Sequence, residues 1–351
     1  MKIGIVTYSL HVGGVESVIF NLAKSFIERG YLVEVIESDG KGEWGNYFRG
    51  NGIVVKTFFF NLFTVPALHV RKIARYLKSF DFILINDAPY VQAGIGLLKG
   101  STKVFPILHN NIESMVKNAL AASGQWNKII CVSPTLYSLI DSLINPGMAV
   151  YIPNGIKSVK FVKRDFTGHI NLVYIGRIED SQKGVFLLPE IARQLKENKI
   201  DFTLEIIGDG PSLQILNERI ISLNVGKIVK LRGALPHEAA LKILEESHFL
   251  LMPSNYEGMP VVLLEAMSSG LIPIVSYLPG HTDICVTENI TGFFGEAGIP
   301  ESFVKTLENA LGRRENLNKI SQNAYERIRN EFCLSKMIDN YLNIMNTDNV
   351  L

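Results

Sequence analysis

The 351-residue chain has no surplus of either charge, since 35 lysines and arginines stand against 34 aspartates and glutamates. A nucleic-acid partner is therefore disfavoured, because gripping a phosphate backbone needs basic residues in excess on one face. Cysteine is scarce: Cys131, Cys285 and Cys333 are far apart, with no C-x-x-C pair and no histidine at metal-ligand spacing. They read as buried thiols in a reducing compartment. The start, MKIGIVTYSLHVGG, holds one lysine and a short apolar run broken by Thr7, Ser9 and His11, so it lacks the charge and length of a signal peptide. No stretch reaches about 18 uninterrupted apolar residues, so no membrane span is expected. The cytoplasm is the expected compartment. Short repeats and low-complexity tracts are also lacking.

With 47% hydrophobic and 20% charged residues, the composition is that of an ordinary globular protein, and the length suggests two domains at about 150 residues each. Short β-branched runs alternate with amphipathic segments, as in parallel sheets covered by helices. In the first half, strands are expected at 2–8, 32–38, 53–58, 82–86, 103–109 and 128–133. A helix is expected in VESVIFNLAKSFIERG, where Val18, Leu22 and Phe26 share a face and Gly30 ends it. The stretch AVYIPNGIKSVKFVKRDFTGHI, with Pro153, Asn154 and Gly155, reads as a link. Strands then resume at 170–176, 202–208, 228–233, 248–254 and 272–277, with helices near 184–198, 211–223, 236–246 and 260–269. The pattern is helical beyond Pro300. The expected domains are 1–153 and 154–334, both Rossmann-like, with a C-terminal helix at about 335–351 lying back on the first. FFFNLF (58–63) and the following Arg71, Lys72, Arg75 and Lys78 admit two readings: a strand end with an ordinary amphipathic helix, or a surface facing an anionic bilayer or a lipid acceptor.

Ligands of open parallel sheets sit beyond the carboxyl ends of the strands, so the residues just after each strand are the candidates. Gly13 and Gly14 lead into a helix and could turn backbone amides toward an anion. His109 follows the fifth strand. Arg177 and Lys183, in GRIEDSQKG, put two cations at one strand tip, where a diphosphate is the natural ligand; Glu179 and Asp180 are the balancing charges if both are merely solvated. IIGDGPS brings a further glycine loop through Gly208 and Gly210. In YEGMPVVLLEAMSSG, Pro260 suits the first helical position, which leaves Glu257 in the loop before it and Glu265 on a packed helix. A carboxylate so near a core is costly unless hydrogen-bonded, and a sugar hydroxyl would serve.

In their order, GGVES, PNG, GR followed by KG, GDG and E-G-M-P-V-V-L-L-E-A-M resemble the motifs of the family-4 retaining glycosyltransferases over nearly the whole chain. The last is that family's E-x7-E signature. The resemblance implies the α/β GT-B fold, two Rossmann-like lobes whose parallel sheets face a central cleft, with a nucleotide-diphosphate sugar on the second lobe and the acceptor on the first. It implies that Arg177 and Lys183 hold the diphosphate, Glu265 the ribose and Glu257 the donor sugar. The loop Gly258, Met259, Pro260, Val261 and the Gly13–Gly14 loop would lie around the phosphates and sugar, His109 near the departing bond, and Gly233, Ala234 and Leu235 against the base. No metal or other cofactor is implied, and the chain has no D-x-D loop at a strand end. Front-face attack with retention is the implied mechanism.

The expected partners are a nucleotide-sugar donor, UDP-sugar favoured, and a glycan or lipid-linked acceptor of cell-envelope, lipopolysaccharide or capsule synthesis. A peripheral contact with the inner membrane surface is the further expectation. Two departures stand out: LPGHTDI after the strand at 272–277, and HNNIES, which matches at His109 alone. The competing readings are a non-catalytic nucleotide-sugar-binding module and a Rossmann-type oxidoreductase. The missing G-x-G-x-x-G argues against the second.

Overall fold

The computed structural model describes residues 1–98, 102–120 and 124–347. The chain divides into two compact units, Met1–Lys157 together with the segment that begins at Leu334, and Ser158–Cys333.

The first unit holds seven strands: β1 (Lys2–Thr7), β2 (Leu32–Glu37), β3 (Val54–Thr57), β4 (Phe82–Asn86), β5 (Lys103–Leu108), β6 (Ile129–Cys131) and β7 (Ala149–Tyr151). All pair in parallel in the order β3-β2-β1-β4-β5-β6-β7. The central strands are apolar without alternation because helices cover both faces, and every residue of FILIN in β4 is buried. Helix Gly14–Glu28 buries Val18, Ile19, Leu22 and Phe26 on one stripe.

The expected C-terminal helix forms over Leu334–Thr347 and belongs to this unit; residues 348–351 lie outside those described. It buries Met337, Ile338, Tyr341 and Met345, and Asp339 pairs with Arg29 at 2.6 Å. The Gly155 amide donates to Met337 Sδ at 3.0 Å, and the Leu334 amide to the Ile156 carbonyl at 2.8 Å.

The second unit holds β8 (Ile170–Ile175), β9 (Phe202–Ile207), β10 (Val229–Gly233), β11 (Phe249–Met252), β12 (Ile272–Ser276) and β13 (Phe293–Gly295), parallel in the order β10-β9-β8-β11-β12-β13. In each unit the order reverses once, between β1 and β4 and between β8 and β11. Connections leave those neighbouring tips in opposite directions, which opens a crevice at the carboxyl end.

The stretch read as a link is more ordered than its composition suggests. Its first residues form the edge strand β7, and its Arg164 is buried in the second unit. The guanidinium donates to the carbonyl of Leu244 in the last turn of helix His237–Glu246, to that of Ser247 just past it, and to that of Ser269 just past helix Val261–Ser268. A cation there satisfies carbonyls that the helices leave unpaired and meets the negative ends of their dipoles.

Candidate active site

In the second unit the candidates gather at the tips of β8 and β11. Arg177 stands one residue past β8, after Gly176, and its backbone is fixed on both sides. The Ile178 amide donates to Asp209 O at 2.8 Å, the Ser212 amide to Ile178 O at 2.9 Å, and the Tyr174 hydroxyl to Arg177 O at 2.8 Å. Gly208 makes this fit possible, because a Cβ built on it, at φ 145°, would lie 1.8 Å from the Gly176 carbonyl oxygen. The Gly208 amide donates to Gly233 O at 2.9 Å and the Gly210 amide to Asp209 Oδ1 at 2.7 Å. The glycine loop therefore supplies close packing under Arg177, and neither amide is left for an anion. The Arg177 guanidinium is exposed and has no protein partner among the described residues.

Lys183 is placed differently. It ends the short helix Asp180–Lys183, and Gly184 follows at φ 59°, where a Cβ would stand 2.2 Å from the Pro253 carbonyl oxygen. Only glycine lets the chain turn left-handed and press on the β11 tip at this point. The Asn255 amide donates to Gln182 O at 2.8 Å and ties the same two segments together. The result is a part-buried ion pair: Lys183 Nζ lies 2.8 Å from both oxygens of the buried Glu257, and Ser254 Oγ donates to Glu257 Oε1 at 2.7 Å. The Glu257 side chain is 5% exposed and that of Lys183 20%. The countercharge of Lys183 is thus Glu257, not Glu179 or Asp180. Glu179 accepts from Ser181 Oγ, and Asp180 Oδ1 from the Phe186 amide at 2.8 Å.

Pro260 caps the next helix, which runs Val261–Ser268, one position inside the expected 260–269 at each end. Gly258, Met259, Pro260 and Val261 are buried, and the Gly258 carbonyl accepts from His281 Nδ1 at 2.9 Å. His281 belongs to the departing LPGHTDI segment, so that segment braces the Glu257 loop. Glu265 lies on a helix buried on nearly all sides. Its carboxylate makes no hydrogen bond among the described residues, with His237 Nε2 3.8 Å away, and burial pushes its carboxyl up to about 7. Burial also lowers the His237 imidazole, leaving it neutral at pH 7 and without a countercharge to offer. Gly233, Ala234 and Leu235 lead to His237, with Ala234 exposed and Leu235 half-buried.

In the first unit, Gly13 caps helix Gly14–Glu28 with no side-chain cap, and a Cβ on Gly13 would lie 2.6 Å from Glu16 Oε2. Glu16 turns back on its own amide at this helix start, and burial with the nearby Asp87 raises its carboxyl to about 7. A carboxyl already at the helix N-terminus disfavours phosphate there and favours hydroxyls. His109 is buried and donates from Nε2 to Asn86 Oδ1 at 2.9 Å; burial lowers its pKa, so the imidazole is neutral with Nδ1 as acceptor.

Asp87, just past β4, is a non-glycine residue at φ 40°, and its Oδ1 is buried with no hydrogen-bond partner. Ser9 Oγ after β1 and Asp39 Oδ1 after β2 share that condition. Three buried polar atoms without hydrogen-bond partners, at the tips of three adjacent strands, mark a polar edge that no local sequence pattern announces. Among the described residues no group of three or more His, Cys, Asp or Glu could hold a metal ion.

Two family profiles match. Glycosyltransferase Family 4 covers residues 12–159, and Glycosyl transferases group 1 covers residues 157–327. One subunit of the human phosphatidylinositol N-acetylglucosaminyltransferase is 26% identical over 343 residues, spanning 90% of this chain and 70% of its own. The UDP-Gal:alpha-D-GlcNAc-diphosphoundecaprenol alpha-1,3-galactosyltransferase of Escherichia coli is 29% identical over 214 residues, 56% of this chain and 53% of that protein. Among solved structures, Anabaena HepE in complex with UDP-glucose superposes with a TM-score of 0.83 at 17% identity, covering 100% of both chains. TarM of S. aureus, in complex with Fondaparinux, alpha-GlcNAc-glycerol and UDP, gives 0.85 at 15% identity over 98% of this chain and 99% of that one. With adjoining profiles running from residue 12 to residue 327, the chain belongs to the group 1, family 4 glycosyltransferases and has the GT-B fold.

Proposed function

We propose that the protein transfers a sugar, with retention and without a metal ion, from a UDP-sugar to a glycan or lipid-linked acceptor of cell-envelope, lipopolysaccharide or capsule synthesis. The observation that carries this reading is the charge arrangement at the β8 and β11 tips and on the helix that follows β11: one unpaired cation, one part-buried lysine–carboxylate pair and one part-buried carboxyl without a hydrogen-bond donor. Arg177 is free to take the diphosphate. Lys183 keeps one face on Glu257 and offers its remaining N–H to a phosphate oxygen, so negative charge building on the leaving group meets fixed cations. Glu265 accepts from the ribose hydroxyls, which replace the water it has lost. Glu257, oriented by Ser254 and Lys183, faces the donor sugar, where positive charge develops. His109, held by Asn86, keeps a neutral acceptor nitrogen for a sugar hydroxyl.

In the reaction, the bond from the anomeric carbon to the diphosphate oxygen breaks and the bond to the acceptor oxygen forms on the same face. The acceptor's proton passes to the departing diphosphate. Relatives named for phosphatidylinositol and for a diphosphoundecaprenol-borne sugar support a lipid-linked acceptor, and neighbours crystallised with UDP or UDP-glucose support the donor.

The test is a panel of UDP-, GDP- and ADP-sugars scored by protection against thermal unfolding and by hydrolysis, with the anomer of the released sugar read by NMR. A UDP-sugar that protects and is hydrolysed with retention in EDTA is the expected result. Inversion, a preference for another nucleotide, or activity lost in EDTA and restored by manganese overturns the corresponding part, and protection without turnover points to a binding module.

A further inference from the structure

We infer that the turn and helix at residues 59–78 of the first unit form a docking surface for an anionic lipid bilayer. Between Glu43 and Asp81 the chain has six lysines and arginines and no acidic residue, in a protein whose net charge is +1. Helix Pro66–Leu77 buries His69, Ile73, Ala74 and Leu77, so its other face carries Leu68, Arg71, Lys72 and Arg75, with Lys78 just beyond, all exposed. Spacings of three and four residues put these side chains on one stripe. Among the described residues, none of the four cations has a carboxylate partner.

At the start of this stripe stands an apolar tip. Leu62 is 96% and Phe63 92% exposed, and Phe59, Val65 and Leu68 are each more than half exposed. The tip is held by a built turn. The Phe63 amide and the Thr64 hydroxyl both donate to Asn61 Oδ1, at 3.1 and 2.9 Å, and the Thr64 amide donates to Asn61 O at 2.9 Å. Phe60, one residue earlier, is pinned by stacking on Tyr90 at 4.9 Å and by an edge contact with His69 at 5.2 Å. A hydrogen-bonded turn with one anchored ring thus keeps a leucine and a phenylalanine away from the unit's own core.

Two large apolar side chains ahead of unpaired cations suit a membrane interface: the tip enters the acyl boundary while the cations face anionic headgroups. A neutral apolar partner would leave the cations without countercharge, and a soluble acidic partner would leave the tip hydrated. The surface is independent of donor chemistry, so its test uses no nucleotide.

Co-sedimentation is measured with vesicles of equal phosphatidylglycerol and phosphatidylcholine, and with phosphatidylcholine alone. Wild type is expected to pellet with the anionic vesicles only. Arg71→Gln/Lys72→Gln/Arg75→Gln should bind roughly a hundredfold more weakly, at about fivefold per charge. Leu62→Ser/Phe63→Ser should lose binding at about 0.15 M salt, where screening weakens the charge contribution. Both variants alter exposed side chains, so unchanged thermal midpoints are expected. Wild type that ignores anionic vesicles, binds neutral ones equally, or pellets no better than Leu62→Ser/Phe63→Ser overturns the inference. So does self-association without lipid that the Leu62→Ser/Phe63→Ser variant abolishes, since the surface would then meet a second copy.

Discussion

Replacing Glu265 by glutamine isolates the cost of holding a carboxylate ready for a ligand. In the free protein this carboxyl lies on a packed helix with a neutral imidazole 3.8 Å away, and its pKa is raised from 4.5 to about 7 by burial. A raised carboxyl pKa means that the folded state holds the proton more tightly than the unfolded one. Stability is therefore lost as pH climbs through the interval from 4.5 to about 7; below it both states are protonated, and above it the loss is constant. At about 1.4 kcal/mol per pH unit, that interval amounts to ~3 kcal/mol withheld at pH 8 and under ~1 kcal/mol at pH 5. Glutamine keeps the shape without the charge. Glu265→Gln should thus stabilise the ligand-free protein by about 3 kcal/mol at pH 8 and by under ~1 kcal/mol at pH 5. It should also weaken UDP binding about tenfold, through loss of a charged hydrogen bond to ribose worth ~1.5 kcal/mol. Urea unfolding at pH 5, 6.5 and 8, with UDP titration calorimetry, measures both. A variant no more stable than wild type at pH 8, a gain that does not change with pH, or unchanged UDP affinity refutes the reasoning.

The pair at the β11 tip gives a second prediction. Lys183→Ala leaves Glu257 buried without its cation and should cost about 3 kcal/mol, while adding Glu257→Gln should recover most of that loss; simply additive losses in the double-mutant cycle would refute the coupling. Glu257→Gln alone should lower kcat and leave UDP affinity undiminished, because it removes the acid that competes with phosphate for Lys183; weaker UDP binding would argue against that assignment. Gly208→Ala places a methyl group 1.8 Å from Gly176 O. It should lower the thermal midpoint and weaken UDP binding together by displacing Arg177, and a variant unchanged in both would show that the glycine loop does not position that side chain.

Much of the fold was legible because parallel sheets with helices on both faces need continuous apolar runs, and those runs are visible. FILIN is strand β4 to the residue. What escaped was short or at an edge. Strands β7 and β13 have three residues each and stand at the edges of their sheets, whereas the equally short β6 lies inside its sheet and shows as an apolar run. Arg164 read as one charge of a basic link, since nothing local reveals that two helix ends converge on it from 80 to 105 residues away. At the site, the residue types were legible and the partnerships were not. That Lys183 and Glu257, 74 residues apart, neutralise each other depends on Gly184 letting one loop press on another. Asp87 was missed for a different reason: a single aspartate after a strand carries no pattern, and its interest lies in an oxygen that the fold buries without a partner.

The return of helix Leu334–Thr347 to the first unit bears on how the protein is made. The second unit is one unbroken run of chain, Ser158–Cys333, and every contact it needs is available once that run has left the ribosome. The first unit is not. Its seven strands are synthesised early, but the surface that receives Tyr341, Ile338 and Met345 stays uncovered until some 180 further residues have been added. The half synthesised first is therefore completed after the half synthesised second. Until then, the nascent chain carries an open apolar face on an otherwise assembled sheet, and a stop codon before residue 334 would leave that face exposed for good.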